Sequence, residues 1–118
     1  MSYISGFVAP VPEANKQAYV ELAHRFWTLA QEFGALSQVE CWEDDISDGK
    51  TTDFRRAVKL EDGEKVVFSW VTWPDKATYQ AAQQKMMDDP RMQDMGELPL
   101  DGMRMIFGGF TPIVELEA

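Results

Sequence analysis

One stretch favours an extended strand at nearly every position: Val66-Val67-Phe68-Ser69-Trp70-Val71-Thr72-Trp73, ended by Pro74. It has no glycine and no charge, and it is rich in the β-branched and aromatic residues that suit a pleated, packed surface. Its apolar residues fall on both parities, Val66, Phe68 and Trp70 on one and Val67, Val71 and Trp73 on the other. A strand with one wet face alternates, so this one is expected to be covered on both faces. Ser69 is small enough to lie beneath a helix, which assigns the Trp70 parity to the opposite cover.

The rest of the chain follows in recognisable pieces. Tyr3 to Ala9 is a second strand apolar on both parities, with Pro10-Val11-Pro12 expected to stop it. Pro12 suits the first turn of a helix, where a missing N–H costs nothing. Ala18, Tyr19, Leu22, Ala23, Phe26, Leu29, Ala30 and Phe33 then recur at helical spacing, and Gly34 supplies a left-handed end. Leu36 to Ile46 carries mixed faces and is expected to be an edge strand. A loop, a helical turn near Phe54 and a second turn at Glu61-Asp62-Gly63-Glu64 lead into the apolar strand. Asp75 caps a helix bearing Tyr79, Ala82 and Met86, and Asp89-Pro90 opens a short one running to about Met95. Met103 to Phe110 is the last strand, where Gly108-Gly109 implies a bulge or a close backbone approach. The tail from Thr111 has little to hold it.

The order β-α-β-β-α-β is the ferredoxin-like arrangement. It places four antiparallel strands in the order 4-1-3-2 with two helices on one face. Strands one and three are then central, as their apolar character requires. The face without helices keeps part of that apolar set, and an exposed patch of this kind usually marks an interface. Two sheets packed face to face would make a homodimer with two-fold symmetry.

Composition narrows the setting. A chain of 118 residues suits one domain, 1–118, able to bury about 65% of its unfolded surface. The single Cys41 excludes a disulfide framework and fits a reducing, cytoplasmic compartment. A net charge of −9 opposes binding to nucleic acid or anionic lipid. The N-terminus lacks the pattern of a secretory signal, and no apolar run is long enough to span a membrane.

Several stretches together carry a resemblance. They are Gly6-Phe7-Val8 with Pro10-Val11-Pro12, Glu40-Cys41-Trp42, Asp48-Gly49-Lys50 with Thr52-Asp53-Phe54, and Val66 to Trp70. Met86-Met87 with Asp89-Pro90-Arg91-Met92, Asp101-Gly102 with Arg104-Met105-Ile106, and Gly108-Gly109-Phe110 complete the set. The chain resembles the YbaA-like family of bacterial proteins over nearly its whole length. The resemblance implies a dimeric α/β-barrel fold and brings no reaction with it. Leu100, Met103 and Phe107 stand where the family pattern has Phe, Lys and Tyr, so chemistry relying on that lysine or tyrosine would be absent here.

Candidate chemistry is sparse. Trp27, Trp42, Trp70 and Trp73 could line an aromatic pocket, although filling a core or an interface is the simpler use of so much area. Glu40, Glu43, Asp44 and Asp45 could serve as acid and base or hold a cation, or simply form a wet strand edge. His24 lies off the helix stripe and Cys41 has no histidine beside it in sequence, which suits a surface imidazole and a structural thiol. Arg55, Arg56, Arg91 and Arg104 are suited either to clamp an anion or to fix loops through carboxylates. From these, Trp42, Arg55, Trp70 and Arg104 are the candidate ligand-binding residues, for a small anionic or aromatic ligand. No catalytic residue is nominated, and no cofactor or metal is expected. The chain is thus expected to be a homodimer that binds or turns over a small molecule. Cofactor-independent oxygenases acting on activated aromatic substrates are one class this superfold hosts, and that step is analogy of fold alone. The alternative is a non-catalytic structural or stress-related accessory dimer whose sheet serves only to dimerise.

Overall fold

The computed structural model describes residues 2–118. β1 (Tyr3–Pro12) runs through a 3-10 turn (Glu13–Asn15) into α1 (Lys16–Glu32). β2 (Ser37–Trp42), α2 (Phe54–Ala57) and β3 (Glu64–Trp73) follow, then α3 (Lys76–Asp88), α4 (Pro90–Gln93) and β4 (Ile106–Phe110). The sheet is antiparallel with the order β2-β3-β1-β4, the expected order read from its other edge. The predicted helix boundaries have local causes. Gly34 takes φ 111° after α1, where the amide of Ala35 reaches back to the Ala30 carbonyl at 2.9 Å. The Asp75 carboxylate accepts from the Thr78 amide at 2.7 Å and starts α3. The Asp89 carboxylate accepts from the Arg91 amide at 2.8 Å and starts α4.

β1 does not stop at its first proline. It continues beside β3 as far as the Pro12–Glu64 pair. The reason lies on its other flank, where pairing with β4 covers only Ile4 to Val8. Beyond Val8 that flank is free, so Pro10 and Pro12, two residues apart and facing the same way, remove no ladder bond. The last strand is shorter than expected, because Asp101 to Arg104 folds into a turn, with the Met103 amide on the Asp101 carboxylate at 2.9 Å. The close approach expected at Gly108-Gly109 is real at Gly109, where any Cβ would collide with the Tyr3 ring.

The two faces of β3 divide as its parity suggests. Val71 and Trp73 are buried against Leu29 and Ala30 of α1 and Ala82 and Met86 of α3, and Ser69 is buried on the same parity. Val66 faces the other way and is covered together with Val8 by Val58, Ile46 and Leu60, so the loop after β2 shields one corner of the second face. The rest of that face stays open. Phe68 is 45% exposed, Ile106 48% and Phe110 62%, and Phe68 packs between Trp70 and Phe54.

Candidate functional site

The register of the sheet builds a polar cluster on its helix side. Glu40 of β2 stands opposite Ser69 of β3, and Tyr19 comes down from the first turn of α1. The Glu40 carboxylate accepts hydrogen bonds from the Tyr19 hydroxyl, from Ser69 Oγ at 2.7 Å and from Gln38 Nε2 at 3.0 Å. Burial, with the Glu40 carboxylate alongside, pushes the Tyr19 phenol above its ordinary pKa. Gln38 Nε2 also donates to the Ala23 carbonyl of α1 at 3.2 Å. Its Oε1 is buried and has no partner, the one such side-chain atom among the described residues.

This cluster forms one end of a cleft between the sheet and the helices. A cavity of about 200 Å³ is bounded by Tyr19, Gln38 and Glu40, by Phe7 of β1, by Leu22 and Phe26 of α1, and by Met92, Met95 and Met105 from the chain that crosses above. It adjoins a second cavity of about 450 Å³, with which it shares Phe7, Phe26, Met92 and Met105. That second space runs on to Trp73, Tyr79, Gln83, Met86 and Met87. Five of the chain's seven methionines therefore line the cleft. Thioether side chains are unbranched, flexible and polarisable, so such a wall adapts to the shape placed against it.

The segment from Asp89 to Met105 roofs the cleft and is pinned along its length. At one end Arg91 makes a two-pronged contact with Glu32 of α1, at 3.1 and 2.7 Å, and also meets Asp89. In the middle Asn15 Nδ2 donates to the Pro99 carbonyl at 3.2 Å. At the other end Arg104 forks onto Glu64 at 2.8 and 2.7 Å, and also reaches Asp101 at 2.9 Å and the Lys59 carbonyl at 3.0 Å. A fork of this geometry directs as well as binds.

The arginines set the acid response of the fold. The Arg56 backbone amide, then its guanidinium, hold Asp53 down at about 2. Hydrogen bonds from Arg104 lower Glu64 and Asp101. Those from Arg91 lower Glu32 and Asp89. A carboxyl depressed in the folded state contributes stability above its unfolded pKa, near 4, and loses it as the pH falls further. Tyr19, raised in the folded state, contributes below its unfolded pKa, near 10, and loses that contribution as the pH rises. The urea midpoint is expected to be level between about pH 5 and 9 and to fall outside that window on both sides. Midpoints measured at acid, neutral and alkaline pH check this, and a midpoint that holds steady into strong acid would reject the acid limb.

Comparison with known proteins decides the kinship. The family model described as a protein of unknown function, DUF1428, matches residues 2–102. The chain belongs to the DUF1428 family. Uncharacterized YbaA proteins of Escherichia coli and Shigella flexneri are 55% identical to it over 116 residues, covering 98% of this chain and 99% of theirs. Among solved structures, SnoaB of Streptomyces nogalater, described as a cofactor-independent oxygenase, superposes with a TM-score of 0.55 at 16% identity, over 99% of this chain and 98% of its own. A dimeric ferredoxin-like protein from an uncultured marine organism gives the same TM-score at 9% identity, with both chains fully covered. At these identities the likeness is one of fold, and it agrees with the ferredoxin-like arrangement expected from the order of elements.

Within this DUF1428 chain the residues singled out earlier lie in different places. Trp42 packs with Val11, Tyr19 and Val67 behind the polar cluster, with Lys16 Nζ 5.2 Å from the centre of its ring. Trp70 lies on the open face of the sheet beside Phe68. Arg55 pairs with Glu43 at 3.2 Å and Asp48 at 3.6 Å in the loop after β2, and Arg104 pins the roof. Of the acidic group, Glu40 belongs to the polar cluster between cleft and outer groove, Glu43 accepts from the Val66 amide at 2.8 Å, and Asp44 and Asp45 are exposed. His24 and Trp27 border an outer groove between α1 and β2, which Tyr19, Gln38 and Glu40 of the polar cluster also line. At the three positions that depart from the family pattern, Leu100 lines the cleft, Phe107 borders its β4 end and Met103 is exposed to solvent. Among the described residues no group of three or more His, Cys, Asp or Glu side chains is arranged to hold a metal ion. Among the described residues no helix is long and apolar enough to cross a membrane.

The sequence reading leaves Gln38, Tyr19 and Ser69 out of the candidates and holds Glu40 open between acid–base work, a cation site and a wet edge. One signal was available. Gln38, Glu40 and Trp42 share a parity, and Ser69 is the one polar residue on the helix-facing parity of β3 between Val67 and Trp73. Polar residues at covered positions of two neighbouring strands point to a built cluster rather than a solvated one.

Proposed function

We propose that this protein is a cytoplasmic homodimer, paired through the open face of its sheet, that binds a small and largely apolar organic molecule in the cleft between sheet and helices. The observation that carries this is the cleft itself. An adaptable wall of methionine and aromatic side chains encloses an almost wholly apolar space, the kind of lining by which pockets take up organic ligands. Trp42 supports the polar end from behind, Arg104 holds the roof, Arg55 steadies the loop that shields the open face, and Trp70 belongs to the dimer contact. Turnover in the manner of a cofactor-independent oxygenase is the finer form of the proposal. Its support is the likeness in fold to SnoaB, with Glu40 as the one carboxylate among the residues bounding the cleft. A purely structural accessory dimer would leave the cleft and the unpaired Gln38 oxygen without a role.

Methionine methyl spectra of the labelled protein, recorded during titration with a metabolite library, test the proposal site by site. Ligands in the cleft are expected to shift Met92, Met95 and Met105 and to leave exposed Met103 unmoved. A library in which no compound moves the cleft methyls would favour the accessory dimer.

A further inference from the structure

We infer that the segment after β4, Thr111–Ala118, crosses to a second copy of the chain and adds there as a strand on the free edge of β2. The inference rests on pairing through the open face and adds the segment of the second copy that covers its edge. The pattern of β4 does not end where its ladder does. Ile106, Phe110, Pro112, Val114 and Leu116 share one parity and are all apolar, while Thr111, Ile113, Glu115 and Glu117 share the other and are mostly polar. Such alternation marks a strand with one covered face. In its own subunit this strand has no partner. Pairing with β1 stops at Ile4 and Phe110. Leu116 is 88% exposed and Val114 68%, and among the described residues a single hydrogen bond, from Ser2 Oγ to the Glu115 carboxylate, ties the segment back.

The receiving edge has the matching groups. β2 ends one side of the sheet, with no strand beyond it. Glu43 bonds inward, its amide on the Val66 carbonyl at 2.9 Å, and inward bonding alternates along an antiparallel strand. The backbone groups of Gln38, Glu40 and Trp42 therefore point outward, where an added strand can pair with them. On the open face the same edge presents exposed Val39 and half-buried Cys41, apolar neighbours for Val114 and Leu116. Direction agrees as well. β4 is antiparallel to β1, β1 to β3 and β3 to β2, so β4 runs opposite to β2. A two-fold axis along the strands keeps these directions and sets each β4 edge against the β2 edge of the other copy, which makes the join antiparallel. Closing two right-twisted sheets into one ring also staggers the strands along one another. The stagger brings the chain beyond Phe110 alongside that β2 rather than past its end. Pro112 is tolerated because the flank of the added strand away from β2 stays free. Within one subunit the join is blocked, since β4 and β2 are opposite edges with β1 and β3 between them.

Mixed disulfides test this in the full chain, with Cys41→Ser as the background. Protomers carrying Val114→Cys or Leu116→Cys, mixed with protomers carrying Val39→Cys, are expected to form a covalent dimer of the two kinds on mild oxidation. The same tail cysteines mixed with Asp62→Cys, an exposed position in the turn before β3, are expected to give none. Deleting Pro112–Ala118 is expected to weaken the dimer by about tenfold or more, read as the concentration at which light scattering gives half dimer. Failure of both tail cysteines to couple with Val39→Cys, or a deletion that dimerises as tightly as the wild type, overturns the strand exchange and leaves pairing through the open face intact. A wild type that is monomeric at micromolar concentration overturns both.

Discussion

Phe68→Asp is expected to convert a dimer into a monomer without unfolding the subunit. Phe68 sits in the middle of the open face on central strand β3, 45% exposed, with Ile106, Phe110 and Val39 exposed around it on the same face. A contiguous apolar face of this kind is unfavourable in water and favourable against a second copy of itself. Under two-fold symmetry the substitution places an aspartate in each of two facing sheets, and both would have to shed water with no cation opposite, at a cost of several kcal/mol per charge. In the isolated subunit the same side chain stays hydrated, so the fold tolerates it. Light scattering behind size-exclusion chromatography at micromolar concentration should give the mass of two chains for the wild type and one for the variant, with unchanged circular dichroism. Met103→Asp, at a site 93% exposed away from the sheet, should remain dimeric. A monomeric wild type would remove the interface altogether.

Glu40→Ala is expected to lower stability by about 3 kcal/mol, because it strands three donors at once and an unmet buried donor costs about 1–3 kcal/mol. Two of the three belong to well-buried residues, Tyr19 at 5% and Ser69 at 1% exposure. Removing the carboxylate also ends the expense of keeping it out of water, which is why the total stays well below three full penalties. Tyr19→Phe removes only one partner and should cost about 1 kcal/mol. Urea unfolding of the three proteins at neutral pH measures both, and a Glu40→Ala midpoint equal to that of the wild type would mean that water already serves these donors.

The elements that the sequence disclosed are those whose causes are local. The periodicity of α1, the carboxylate caps at Asp75 and Asp89 and the left-handed Gly34 each depend on a few neighbouring residues, and the structure has them where they were expected. The two-sided apolar parity of β3 was legible because any central strand of this fold must be covered twice. What stayed hidden depends on distant chain. Glu40 looks like an edge charge until Tyr19 and the roof from Leu98 to Met105 are placed over it. Pro10 and Pro12 look like a strand end until β4 is known to stop pairing at Val8. Arg104 suits an anion clamp or a loop fastener equally until its partner Glu64, forty residues earlier in the chain, is placed against it. The cover over Val8 and Val66 comes from a loop whose sequence, Ile46 to Leu60, reads as turns and charge.

The central position of β1 has a consequence for how the molecule comes to be folded. It precedes the other three strands of its sheet in the chain, and its neighbours lie far downstream: Tyr3 pairs with Trp73 and Ile4 with Phe110. Until β3 has been made, the apolar residues of β1 have no strand to pair with, and its second flank waits for nearly the whole chain. Closing loops of that length before any contact rewards them slows folding relative to helical proteins of equal size. The sheet must therefore assemble late, around a strand made well before its partners, and the nascent chain is most exposed to misassociation while that strand waits.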